Sequence, residues 1–167
     1  MRFTEQNQYT YPSAVVLRVF SDKDYFLEKY RRAGATDIEV LEDIQGDDTS
    51  RITISRHVDV DVPIPAFARK HVPHQITVVQ SDNWNRDTGT GHLEIRFRGM
   101  PAEVYCTLKI TDVGAHCVLD LAFTVRVSIP FIGVKLAEVL ARDLREKFEK
   151  DSAAAQQAMD LIAPRYL

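Results

Sequence analysis

The sequence predicts an α+β protein in which a curved antiparallel sheet of about seven strands wraps around one long C-terminal helix, with two short helices near the start. Three observations carry this. Between Ile38 and Ile129 apolar residues recur mostly at every second position, the period of a strand with one buried face. From Leu136 onward they recur every three or four, the period of a helix. Between an alternating N-terminal stretch and this long alternating region lie two short segments with helical spacing.

Composition limits the function classes. The chain has 167 residues, 45% hydrophobic and 27% charged, enough for one domain over 1–167 with a sizeable core. Its formal net charge is −3, which argues against a nucleic-acid partner, because such domains carry a basic excess. No apolar run approaches the ~18 residues of an integral membrane segment. The start, Met1-Arg2-Phe3-Thr4-Glu5, has no secretory apolar stretch, so a cytoplasmic location is expected. Two cysteines, Cys106 and Cys117, are too few for a disulfide framework and lack metal-binding spacing. They are expected as reduced core thiols.

Arg2 to Tyr11 places Phe3, Tyr9 and Tyr11 on one parity and predicts the first strand. Pro12-Ser13 opens a short helix through Val15, Val16, Val19 and Phe20. Ser21-Asp22-Lys23-Asp24 has the form of a capping box for a second helix bearing Phe26, Leu27 and Tyr30, closed by Gly34. Ile38, Val40 and Ile44 then form a strand that turns at Gln45-Gly46-Asp47-Asp48. In the next, Ile52, Ile54, Val58, Val60 and Val62 alternate with Thr53, Ser55, His57, Asp59 and Asp61, until Pro63 and Pro65 break it. Ala66 to His71 suits a helical turn, and Ile76 and Val78 begin a strand ending at Trp84.

Three further strands follow. With a turn at Gly99-Met100-Pro101-Ala102, Phe97 is expected opposite Val104, Ile95 opposite Cys106 and Arg98 opposite Glu103. With a turn at Val113-Gly114, Ile110 is expected opposite Cys117 and Cys106 opposite Leu121, too far apart along the sheet for a disulfide. Pro130 is expected to pre-set the start of the last helix. Its stripe is Leu136, Leu140, Leu144 and Phe148, broadened by Ala137, Ala141, Ala155 and Met159. About thirty helical residues span ~45 Å, and only the apolar face of the meander can cover such a stripe.

This order of elements resembles the START-like (SRPBCC) superfamily, the helix-grip fold of birch-pollen-type allergens, polyketide cyclases and lipid-transfer domains. Locally, Pro65-Ala66-Phe67-Ala68-Arg69-Lys70 through Val78-Val79-Gln80 to Trp84 is similar to one bacterial START-like family. So is Val127-Ser128-Ile129-Pro130-Phe131-Ile132-Gly133. That family has no assigned activity, so the resemblance implies a fold and a cavity but supplies no catalytic residues. It implies a hydrophobic pocket between sheet and long helix, for a lipid, isoprenoid or polyketide-like molecule.

The inward parities nominate Val40, Ile54, Ile76, Val78, Ile95, Phe97, Cys106, Leu119, Leu121, Phe123, Leu140 and Leu144 as lining or, equally, as the side chains of a filled core. Among polar residues, Glu42 and Arg56 share the parity of their apolar neighbours. They are expected to pair across adjacent strands, where they would orient a ligand's carboxylate, phosphate or hydroxyl. The alternative is that an edge or a bulge turns them to solvent. Glu5, Asn7, Gln80 and Asp82 also fall inward, either as a potential acid or base or as wet flanks of the pocket mouth. Trp84 reads as a packing cap or as a ligand-contacting ring.

The five histidines form no metal-ligand pattern, and no cofactor motif is present. The run Val127 to Val134 belongs near the cavity rim, as packing or as a portal in peripheral contact with a membrane. The expectation is therefore a protein that binds or transfers a hydrophobic or amphipathic small molecule. The alternatives are a cyclase/aromatase- or hydrolase-type enzyme using the inward polar groups, and a protein-interaction module with a filled core.

Overall fold

The computed structural model describes residues 1–60 and 64–167; the expected alternation at Asp61 and Val62 and the break at Pro63 lie outside the described residues. Seven strands form one antiparallel sheet: β1 (Arg2–Tyr9), β2 (Thr36–Gln45), β3 (Thr49–Asp59), β4 (Gln75–Asn85), β5 (Thr90–Phe97), β6 (Ala102–Val113) and β7 (His116–Val127). Their spatial order is β1-β7-β6-β5-β4-β3-β2. Two short helices, α1 (Ser13–Val19) and α2 (Lys23–Arg32), follow β1, and α3 (Gly133–Ile162) runs for 30 residues before a last 3-10 turn. This is the helix-grip architecture expected from the sequence.

Alternation decides which face is covered. Along β6, Val104, Cys106, Leu108 and Ile110 are buried while Glu103, Tyr105, Thr107 and Lys109 are exposed. Along β7, Cys117, Leu119, Leu121, Phe123 and Val125 continue the buried face. The α3 stripe lies over that face: Leu136, Ala137, Ala141, Ala155 and Met159 are buried, and Leu140, Leu144 and Phe148 pack against the core from its margin. α3 also packs along α2 and β7.

Two registers differ from expectation, each by two residues. Leu93 faces Cys106 and Ile95 faces Val104, so Arg96 rather than Arg98 stands opposite Glu103. Asp112 faces Cys117, Ile110 faces Leu119, and Cys106 faces Phe123. Each hairpin turns one residue away from its expected centre, because the glycine takes the left-handed position. Gly99 (φ 78) sits third in the turn closed from the Met100 amide to the Phe97 carbonyl, and Gly114 (φ 64) sits first in a two-residue loop. A shift of two preserves side-chain parity, so the inward set is unchanged. Both cysteines are free and buried, about 20 Å apart along the sheet at 3.4 Å per residue.

Local caps differ too. The expected Ser21/Asp24 box is not made. Asp22 caps α2, accepting from the Asp24 amide, while the Ser21 hydroxyl donates to the Leu17 carbonyl. The other oxygen of Asp22 accepts from Arg165 and from the Tyr166 hydroxyl, tying the chain's end to the start of α2. Pro130 does not open α3. The helix begins at Gly133 because Phe131 adopts φ 68 and interrupts the path from β7.

An aromatic group closes one end of the grip. Phe20 stacks on Trp84 with ring centroids 5.2 Å apart, Tyr9 and Tyr25 lie against Phe20, and Phe26 follows on Tyr25. Trp84 stands opposite Gly91, where a Cβ would lie 2.4 Å from the Asn83 carbonyl and 2.9 Å from the indole. Gly91→Ala is therefore expected to cost about 1–3 kcal/mol through overpacking. A denaturant midpoint equal to that of the parent would refute the close approach.

Candidate functional site

The inner face of β4 divides the grip into three zones. Ile76 and Val78 are apolar, Gln80 and Asp82 are polar, and Trp84 belongs to the aromatic end. The polar pair is enclosed by hydrocarbon: Gln80 lies between Ile54 and Ile95, and Asp82 between Ile52 and Leu93. Gln80 is 5% exposed and Asp82 7%. They are thus mid-strand and buried, not wet flanks of a mouth.

These groups satisfy one another in a line. Arg56 donates from Nη2 to Gln80 Oε1 at 3.0 Å, and Gln80 donates from Nε2 to Asp82 Oδ1 at 2.9 Å. The guanidinium carbon of Arg56 lies 3.9 Å from the centre of the Tyr30 ring, a close cation–π contact. Its Nη1 is buried and has no hydrogen-bond partner among the described residues. Burial pushes the Asp82 carboxyl up from 3.8, against the opposing pull of Lys29, Gln80 and Arg56. Desolvation likewise lowers the Lys29 ammonium. The Tyr30 phenol is pushed beyond the usual range by burial, with Arg56 drawing it back. At the β1 edge of the grip, Asn7 accepts from Ser152 at 2.6 Å, and Glu5 meets Arg145 at 3.8 Å.

The expected Glu42–Arg56 pair is not formed. A bulge between Val40 and Glu42 leaves Val40 beside Ile54 but sets Glu42 beside Thr53, on the outer face. There Glu42 accepts from Thr53 at 2.9 Å and from Arg51 at 3.4 Å, and Arg51 reaches Asn83 at 2.9 Å. The same bulge turns Ile44 outward, 54% exposed, contrary to its expected core position. Ile44, Arg51, Asn83 and His92 border an open hollow of about 400 Å³ on that outer face.

A narrow cleft of about 90 Å³ lies on the inner side, at the end of the grip opposite Trp84. Its walls include Val58, Ile76, Phe97, Met100 and Val127 from the sheet and its turns, Ile64 and Val72 from the β3–β4 connection, and Leu136, Val139 and Leu140 from α3. Of the lining nominated from sequence, Ile76, Phe97 and Leu140 border this cleft. Ile54, Val78, Ile95, Cys106, Leu119, Leu121 and Phe123 are core side chains, with Phe123 stacked on Phe3 at 4.7 Å. Val40 and Leu144 pack at the core's margin, and Trp84 is covered by Phe20. Sequence parity missed Met100, Ile64 and Val72 because they lie in connections, where period two gives no signal.

Cleft and polar line are adjacent. Val58, a cleft wall, follows Arg56 by two residues on the same face, about 7 Å along the strand, and Val78 opposite Arg56 neighbours Phe97. Arg56 itself does not line the cleft: it lies one inward position along β3 from Val58, with its guanidinium held towards Gln80 and Tyr30, and the charged side chains in the cleft's walls are Asp59, Asp143 and Lys147. Among the described residues no three His, Cys, Asp or Glu are grouped to hold a metal ion.

The polar line makes a pH prediction. A folded-state carboxyl raised above its unfolded value of ~3.9 contributes stability fully below that value and loses it as pH rises through the folded value. The stability of the parent relative to Asp82→Asn should therefore fall as pH rises from about 4 through the raised folded-state value. Lys29→Met should move the Asp82 titration, followed by the side-chain carboxyl NMR shift, further upward. A pH-independent difference between parent and Asp82→Asn would contradict the assignment.

Comparison with known proteins bears on the fold and the family. The chain is similar to the structure of a Thermus thermophilus protein (TM-score 0.64, 11% identity, covering 95% of this chain and 97% of that one). It is also similar to the Zhui aromatase/cyclase from a Streptomyces species (0.60, 15%, covering 99% and 94%). A third likeness is to norcoclaurine synthase from Thalictrum flavum (0.56, 12%, covering 97% and 86%). At these identities the likeness establishes the helix-grip fold. No curated protein matches the sequence. Residues 4–158 match a family defined from sequence, and on that match the chain belongs to the family described as Protein of unknown function (DUF2505).

Proposed function

We propose that this protein binds an amphipathic small molecule, with its apolar part in the cleft between α3 and the sheet and an anionic or hydroxyl head at Arg56. The observation that carries the reading is the Arg56 Nη1, a buried donor with no hydrogen-bond partner among the described residues, one inward position along β3 from the cleft wall Val58. A buried unsatisfied donor costs roughly 1–3 kcal/mol, more when charged, and a ligand oxygen would recover part of that. The apolar walls Val58, Ile76, Phe97 and Leu140 supply the non-directional share of binding. The slot is smaller than the several hundred Å³ of many ligand pockets, which fits a short or slender chain better than a fused-ring molecule.

The test is calorimetric titration with saturated carboxylates of increasing chain length. Affinity should rise by ~0.8 kcal/mol per methylene until the slot is full. Arg56→Gln should lower affinity by roughly tenfold while keeping the chain-length trend, as for loss of a charge-assisted hydrogen bond. Leu140→Trp should abolish binding by filling the slot. No heat with any carboxylate, or identical affinities for Arg56→Gln and parent, sinks the proposal.

A catalytic reading has one supporting observation, the Asp82 carboxyl, which burial raises towards its protonated, proton-donating form. Its line of contact with Arg56 through Gln80 would let a bound head group sense that proton. Asp82→Asn that binds carboxylates normally but fails to turn over a candidate substrate would separate catalysis from binding.

A further inference from the structure

The outer end of the cleft is walled by three segments: the connection from Ile64 to His74, the β5–β6 turn and the approach to α3. The same segments carry exposed apolar side chains. Phe131 is 104% exposed, Val134 77% and Phe67 41%. Phe131 holds φ 68, a left-handed conformation that is costly for a bulky side chain, and its ring is presented wholly to solvent. Lys135 stands 6.0 Å from the centre of the Phe67 ring, bringing the connection and the start of α3 into one surface.

Charge on this surface runs against that of the whole chain. Residues 64–74, 98–101 and 128–137 contain Arg69, Lys70, Arg98 and Lys135 and no Asp or Glu, in a chain whose net charge is −3. None of these four cations has an ion-pair partner among the described residues, and all are exposed. The nearest acids are Asp59 and Asp143, both in the cleft's walls, and the exposed Glu138, three residues along α3 from Lys135.

We infer that this rim is a docking surface for an anionic lipid bilayer, with Phe131, Val134 and Phe67 entering the headgroup region and Arg69, Lys70 and Lys135 facing its phosphates. Exposed apolar side chains ringed by unpaired cations are complementary to such a surface, where apolar burial and attraction to anionic lipid add. No described helix is long and apolar enough to cross a membrane, so contact is at the surface. The cleft then opens against the bilayer, and its ligand passes between lipid and protein without crossing water. That last consequence rests on the ligand-binding reading above; the docking itself does not.

Flotation of the full chain with vesicles of phosphatidylcholine, with and without phosphatidylglycerol, tests this. The protein should float with anionic vesicles and be released by added salt. Phe131→Asn combined with Val134→Ser should lower the bound fraction roughly tenfold, and so should Lys70→Glu with Lys135→Glu. Asn tolerates the left-handed backbone, and thermal melts of each variant should match the parent. Absence of flotation, or equal flotation with neutral vesicles, overturns the inference. So does a parent dimer in sedimentation equilibrium that Phe131→Asn dissociates, because the rim would then be covered by a second copy. Carboxylate titrations of the rim variants distinguish the two readings. Unchanged carboxylate binding with no flotation removes the docking surface alone, and flotation without carboxylate binding removes the cleft reading alone.

Discussion

The fold depends on one covering relation: the apolar face of a curved sheet is covered by a single long helix. α3 cannot exclude water from the whole of that concave surface by itself. At one end α1, α2 and the Phe20–Trp84 stack complete the cover. At the other end only strand ends, a turn and a connection meet the first turns of α3, and there the packing leaves a cleft. The asymmetry follows from chain order, because both short helices come from the segment between β1 and β2 and lie at the same end.

Between the two ends, the line Arg56–Gln80–Asp82 is a costly part of the interior. These groups hydrogen-bond one another but leave one guanidinium nitrogen unpartnered, so the desolvation of charge is only partly offset. Replacing the line with aliphatic side chains of similar size would serve stability alone better. Its presence in mid-strand, rather than at a strand end open to water, is what separates this interior from an ordinary core.

The sequence carried the parity of every strand except the second half of β2, and the stripe of α3, because a buried face imposes period two or 3.6 wherever it extends for several residues. Register was not legible to the same degree. The turns at Gly99 and Gly114 each displaced a hairpin by two residues, and alternation alone cannot detect a shift that preserves it. The bulge beside Leu41 was invisible for a related reason, since one inserted residue reverses parity without altering composition, and it took Glu42 away from Arg56. Arg56, Gln80 and Asp82 were recognisable as inward polar residues; that Gln80 joins the other two required the alignment of β3 with β4.

The bulge that moves Glu42 also bears on the edge of the sheet. β2 is an outer strand of the sheet, and its free edge is a template on which another chain could add a strand. Its pairing with β3 is interrupted twice, Asp37 holds φ 48, and Asp37, Glu39 and Asp43 are all exposed. A kinked edge lined with carboxylates repels an identical edge in both geometry and charge. The irregularity that removed an expected ion pair from the interior therefore also makes the β2 edge a poor template for a further strand.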